Sequence, residues 1–420
     1  MTQTEAEATP APRVHEAPAG TEIIADLTGA DPAFTANPYP YFAKLRALGP
    51  VHRARVMDGR IGWLIVDPHE ARAMMKDRRF STDARYLTAW PDMGRSAIGT
   101  NMLQADPPDH TRLRRLVAKE FTPRRIEALR PRIQEITDEL LDAMVPAGRA
   151  DLVRSFSLQL PLAVICELFG VPEKDREDFH RWSSEMSAPP SQEAGQAAGE
   201  AMAGYLGSLI AGKRADNGND LLGDLVRTTD AGDRLTDQEL FGMAFLLLVA
   251  GHETTNNLIA SAVATLLRHP EQLAALRADY SLLDSAIEET MRYEGPVEVS
   301  AFRYTTETVV IGGTEIPAGE VVMSGLASAS RDPERFSDPE SFNILRDPRE
   351  LRGHIGFGHG IHACIGAPLA KLEAGIALRS LLERCPGLAL DIDPEQFAWR
   401  PPTLFLRSLE RLPVRFGTDR

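Results

Sequence analysis

Phe357-Gly358-His359-Gly360-Ile361-His362-Ala363-Cys364-Ile365-Gly366-Ala367-Pro368-Leu369-Ala370-Lys371-Leu372-Glu373 reads first as a loop and then as a helix. The glycines at 358, 360 and 366 let a backbone turn tightly and lie close against something flat. Pro368 suits a first helical turn, and Leu369, Leu372 and Ile376 then recur at helical spacing. Cys364 therefore falls just before a helix N-terminus, where the dipole and free N–H groups favour a thiolate.

Three readings of Cys364 stand at this point. A lone cysteine near a helix start is commonly a small buried hydrophobe. His359, His362 and Cys364 offer zinc-type ligands, but neither a fourth ligand nor finger spacing accompanies them. A thiolate so held also suits the axial position of haem iron, where it donates electron density that helps break an O–O bond. The whole pattern from Phe357 to Gly366, Phe-x-x-Gly-x-His-x-Cys-x-Gly, resembles the haem-ligand signature of the cytochrome P-450 family.

Composition sets the bounds. A chain of 420 residues, 43% hydrophobic and 25% charged, is ordinary for a globular protein with a large core. Its net charge of −14 argues against a nucleic-acid partner. Cys166, Cys364 and Cys385 are the only cysteines, too few and odd in number for a disulfide framework, which fits a reducing cytoplasm. No signal peptide is visible, and the longest apolar run, Leu240 to Gly251, is too short to span a bilayer. Residues 1–20, rich in Ala, Pro, Thr and Glu, are expected to be disordered, with residues 21–420 forming one mostly helical domain.

Along the chain, Val51–Val56 and Ile61–Val66 read as a hairpin about Asp58-Gly59. Residues 80–105 lack periodicity but carry Tyr86 and Trp90, the pattern of a binding loop or of a loop pinned to the core. Asp106-Pro107-Pro108-Asp109-His110 opens a basic helix with Arg112, Arg114, Arg115 and Lys119, and His110 and Arg114 share one face at i, i+4. Residues 185–195 read as a helix–helix loop. Thr236-Asp237-Gln238-Glu239 is a capping box that starts a long, nearly all-apolar helix, stopped by His269-Pro270. Polar groups in the middle of such a helix, Glu253 and Thr254, are costly unless used or satisfied. Glu289 and Arg292 form an i, i+3 pair on a later helix.

The resemblance extends to these segments, in the family's order, over roughly residues 35–416. It implies a mainly α fold with smaller β-sheets, haem b lying between the long central helix and the helix after the cysteine loop. Cys364 would be the thiolate ligand of the iron. His110, Arg114, Arg303 and His362 would hold the propionates, with Phe357, Gly366 and Ala250 against the cofactor. Ala250-Gly251-His252-Glu253-Thr254-Thr255 is similar to the oxygen-activation motif, so Thr254 with Glu253 would relay protons. Glu289, Arg292 and Arg346 match a buried structural triad. Tyr86, Trp90, Val249, Ala250, Val297 and Phe405 are expected to line the substrate pocket.

The reaction implied is insertion of one oxygen atom from O2 into a C–H bond of a small hydrophobic molecule, by hydroxylation or epoxidation. The end of the chain is most similar to the actinomycete group acting on macrolides and other secondary metabolites. Electrons would come from NAD(P)H through a separate reductase and ferredoxin to a monomeric, cytoplasmic enzyme. A haem sensor or carrier, or a peroxide-driven hydroxylase, is the alternative. The intact Glu253–Thr254 pair argues against both.

Overall fold

The computed structural model describes residues 24–56, 59–90, 100–187, 191–216, 220–227, 229–230, 233–400 and 406–417. The segment 1–20, expected to be disordered, lies outside them, as do Phe405 and Asp58. The fold is mainly helical with small sheets, as the resemblance implied.

The capping box forms as read. The Thr236 side chain accepts from the Glu239 N–H, and the Glu239 carboxylate accepts from the Thr236 N–H. The helix it starts, Asp237–Arg268, is the longest described and is buried over most of its length. His269 ends it and Pro270 begins the next helix, because proline supplies no N–H to continue the ladder. Around this central helix pack Gln159–Leu168, Leu283–Tyr293 and Ala367–Arg384, the last being the helix that follows the cysteine loop. Their apolar faces share one core that includes Leu258, Val263, Ile287, Leu369 and Leu378.

A six-stranded sheet lies to one side. Val51–Arg55 and Ile61–Ile65 form the expected hairpin, with Arg53 opposite Trp63. Ile61–Ile65 runs parallel to Val321–Ser324, which pairs antiparallel with Arg303–Thr305, which in turn pairs with Phe80–Ser81. The segment entering Arg303 is pinned by two bridges, Val297 to Leu406 and Val299 to Gly325. It is held where sheet and helices meet. The loop expected over 185–195 narrows, since helices run Arg176–Ser187 and Gln192–Asp216. Residues 188–190 lie outside the described set.

Glu289 and Arg292 are fully buried and bonded by two 2.7 Å hydrogen bonds. Arg346 joins them at 3.3 Å, and Arg292 also donates to the carbonyls of Pro339 and Ser341, both at 2.8 Å. Residues 329–356 carry little regular secondary structure of their own, so this knot does for them what a ladder does for a strand.

Candidate active site

The cysteine loop leaves the irregular segment with Gly358 at φ +74° and Gly360 at φ +75°, a region L side chains avoid. At Gly360 a Cβ would also stand 2.8 Å from the Met75 carbonyl, so glycine is required there on two counts. Gly366 differs: its φ is −81° and it caps the following helix. A Cβ there would make only an ordinary 3.8 Å contact with Cys364 Sγ, so neither backbone conformation nor a clash within the protein requires glycine at this position.

Cys364 faces a cavity of about 370 Å3. The Gly366 and Ala367 backbone N–H groups and Arg114 favour its thiolate, as the helix N-terminus predicted. Burial outweighs them and pushes the thiol above its ordinary pKa. A cation on sulfur is what would tip this balance toward thiolate. The zinc reading finds no support, since among the described residues no three His, Cys, Asp or Glu side chains converge.

One end of the cavity is cationic. Arg114 donates to the Ala363 carbonyl at 2.6 Å, and Arg303 lies 3.4 Å from the Phe80 carbonyl. The His110 and His362 rings stand 4.3 Å apart. Burial, then Arg303, His110 and Arg114, push the His362 pKa down to about 3. Burial, then Arg114 and Arg303, also lower His110. Burial brings Arg303 down to about 10. Asp106 eases His110 and Arg303 a little, but it already accepts from Ser81 and from the Thr82 N–H. Both ring nitrogens of His110 and Nε2 of His362 are buried without a hydrogen-bond partner of ordinary geometry. Four such groups crowded together call for an anion with several acceptor oxygens. Two propionates satisfy that demand, and the apolar remainder of the wall suits a flat macrocycle, so the residues present fit haem.

The central helix supplies one wall through Leu246, Leu247, Ala250, Gly251, Thr254, Thr255 and Leu258, which recur at helical spacing. Thr254 Oγ donates to the Ala250 carbonyl at 2.8 Å, leaving its lone pairs as acceptors. Thr255 makes a longer 3.3 Å bond to the Gly251 carbonyl. Gly251 provides close packing rather than room, since a Cβ there would sit 3.0 Å from Ile165 Cδ1. Glu253 is buried but is not part of the cavity wall, being turned about 100° from Thr254.

Among the residues expected at the pocket, Ala250 and Val297 line the cavity, as do Phe357 and Gly366. Tyr86, Trp90 and Val249 do not. Trp90 is buried in the sheet-side core, edge-on to Phe302 and donating to the Ile61 carbonyl at 3.2 Å. Its indole N–H needed a partner and found one away from the site. Tyr86 is 42% exposed on a short turn, and Val249 packs on the core behind the central helix. The wall instead draws on Met75, Met102, Leu103, Phe121, Ile165 and Leu326. Of these, Met102 and Leu103 belong to the irregular 80–105 segment read as a binding loop; the others carried no sequence signal, because the wall is assembled from elements far apart in the chain.

The cytochrome P450 family model matches residues 208–395. The chain is 53% identical over 411 residues to cytochrome P-450 monooxygenase PikC of Streptomyces venezuelae, covering 97% of this chain and 98% of that one. It is 43% identical to 6-deoxyerythronolide B hydroxylase of Saccharopolyspora erythraea, covering 91% of this chain and 97% of that one. The tirandamycin C-bound structure of the monooxygenase TamI superimposes with a TM-score of 0.87 at 44% identity, covering 94% of this chain and 100% of that one. With the thiol-bearing loop, the cationic end and the apolar wall in one cavity, these likenesses identify the chain as a member of the cytochrome P-450 family, a monooxygenase whose haem iron is held by a cysteine thiolate.

Proposed function

We propose that this enzyme inserts one oxygen atom from O2 into a C–H bond of a hydrophobic macrolide or polyketide-type secondary metabolite. Support comes from the relatives, which include a 6-deoxyerythronolide B hydroxylase and a mycinamicin IV hydroxylase/epoxidase. The observation that carries the reading is that Cys364, the Arg303–His362 end and Thr254 all open onto one largely apolar cavity.

When bound, haem b supplies the one-electron and O2 chemistry. Cys364 would hold the iron through Sγ. Arg114 and Arg303 would pair with the propionates, and the orphaned nitrogens of His110 and His362 would complete their hydrogen bonding. Phe357, Gly366 and Ala250, all on the cavity wall, would lie against the macrocycle. Leu246, Leu247 and Val297 exclude water and orient an apolar substrate. Thr254 receives a proton at Oγ and passes its own onward, and Glu253 resupplies it through water, since its carboxylate is off the wall.

Electrons come from NAD(P)H through a reductase and a ferredoxin. The basic helix Asp109–Ala118 and its flank are the docking face, with Arg115 and Lys119 exposed and Arg112 engaged with Glu239. The enzyme works as a monomer, in one domain spanning residues 21–420, in the cytoplasm; size-exclusion chromatography at a dimer's volume would contradict the first point.

The test is turnover of macrolide aglycones under isotopically labelled O2. The expected product gains one labelled oxygen atom, whereas a product labelled from water contradicts the reading. Arg115→Glu with Lys119→Glu should slow ferredoxin-driven turnover and spare peroxide-driven turnover, because charge steering serves only docking. Equal loss in both would remove this face as the docking site.

A further inference from the structure

Glu288 and Glu289 are neighbours on the helix Leu283–Tyr293, and the buried triad uses only the second. One residue's step turns the side chain by about 100°, so Glu288 leaves the helix on another side. There its Oε2 meets His354 Nε2 at 2.6 Å, and its Oε1 accepts from Lys371 Nζ on the helix that follows the cysteine loop. Burial works against the charge, but the bonds from His354 and Lys371 outweigh it and hold the carboxyl below the ordinary carboxylate range. Glu288 is thus an anion at neutral pH.

His354 passes this contact on to the loop. Its side chain is 5% exposed, and its Nδ1 stands 3.0 Å from the Gly356 nitrogen. A backbone N–H only donates, so Nδ1 is the acceptor and the ring proton sits on Nε2, directed at Glu288. Gly356 is itself pressed onto the helix that carries Glu288, since a Cβ there would stand 2.9 Å from the Met291 carbonyl. The next residue, Phe357, accepts the Cys364 N–H on its carbonyl at 2.8 Å. A line of bonds therefore runs from Glu288 through His354 and the Gly356–Phe357 backbone to the Cys364 amide. Lys371 closes the other side, its ammonium 5.1 Å from the centre of the Phe357 ring.

A Glu–Lys pair at the surface is worth at most about 1 kcal/mol and needs no histidine. Here a buried ring with both nitrogens engaged joins the pair to the loop that carries the sulfur. Groups one layer out from a metal ligand orient it and tune the metal. We infer that Glu288 and His354 are positioning residues for Cys364, and that the Glu288 charge, offset in part by Lys371, sets how readily the iron held by that sulfur takes up an electron. The inference rests on the assignment of Cys364 to the iron made above. A fixed anion on the cysteine side disfavours the added electron, and a fixed cation favours it.

The test measures the reduction potential and the carbon monoxide spectrum of the haem-loaded, substrate-free protein as wild type, Glu288→Gln, Lys371→Met, His354→Phe and His354→Asn. Glu288→Gln should move the reduction equilibrium toward the reduced form by about threefold or more, roughly 30 mV upward. Lys371→Met should move it the other way by a similar factor. Loss of packing alone would not give opposite signs. His354→Phe takes the acceptor from Gly356, so part of its carbon monoxide complex should lose the red-shifted band of thiolate ligation. His354→Asn keeps an oxygen near the place of Nδ1 and should recover that band. Potentials that stay at the wild-type value in Glu288→Gln and Lys371→Met, potentials that move the same way in both, or a full thiolate band in His354→Phe would each overturn the inference. A wild-type protein without that band would instead sink the assignment of Cys364, so the two failures are distinguishable.

Discussion

Thr254 and Thr255 both reach the cavity, but their hydroxyls are not equivalent. The 2.8 Å bond from Thr254 to the Ala250 carbonyl fixes its hydrogen and aims its lone pairs, while the 3.3 Å bond of Thr255 is looser. Thr254→Ala should therefore keep substrate binding and NAD(P)H consumption but divert electrons to peroxide. Thr255→Ala should stay closer to wild type. The measurement is product per NAD(P)H for the two side by side, and uncoupling confined to Thr255→Ala would move the relay to that residue. At this scale the sequence was legible where chemistry demands a residue type at a spacing. Cys364, Arg114, Arg303, His362 and Thr254 all open onto the cavity that the motifs implied. It was not legible where lining depends on how separate elements approach. Trp90 has the composition of a pocket residue, yet it is buried beside Phe302 and Ile61. Phe121 and Ile165 carry no local mark of a wall position and are on it.

The central helix and the helix Leu283–Tyr293 do their work as elements. The first was readable from end to end, because a capping box and a His-Pro stop are local chemistry. Less readable was His252. Buried in that helix, it uses Nδ1 on the Leu248 carbonyl at 3.0 Å and Nε2 with Ser183 Oγ at 2.9 Å, tying the helix Arg176–Ser187 to the central one. Burial lowers its pKa from 6.5 to about 4. The unfolded chain therefore binds a proton between these values that the folded one refuses. Stability present above pH 6.5 is lost as pH falls toward 4, by on the order of 3 kcal/mol. His252→Gln should flatten that part of the stability–pH curve, and an unchanged slope would show that His252 does not control it. The second helix carries the buried triad. Arg292→Ala leaves Glu289 with Arg346 at 3.3 Å, orphans the carbonyl of Pro339 and leaves that of Ser341 with Arg346 alone, at 3.1 Å. It should cost about 3–5 kcal/mol in denaturant unfolding. A cost under about 1 kcal/mol, as at an exposed pair, would remove the triad's structural role.

Over the whole molecule, helices and sheet divide the labour. The helical core sets the cysteine helix against the central helix, and the sheet side brings Val297 and Arg303 to the gap between them. Mainly α architecture with small sheets was foreseeable from period and breaks, together with the resemblance. The strand order was not, since Val321–Ser324 inserts between Ile61–Ile65 and Arg303–Thr305 through pairings remote in sequence. Among the described residues no helix is long and apolar enough to cross a membrane. All of this converges on one atom, the sulfur of Cys364, in the wall of the cavity those elements line. The most direct test is the carbon monoxide difference spectrum of the reduced, haem-loaded protein, wild type beside Cys364→Ala. The account predicts the strongly red-shifted Soret band of thiolate ligation in wild type and its loss in Cys364→Ala. A Cys364→Ala protein that binds haem and keeps that band would contradict it.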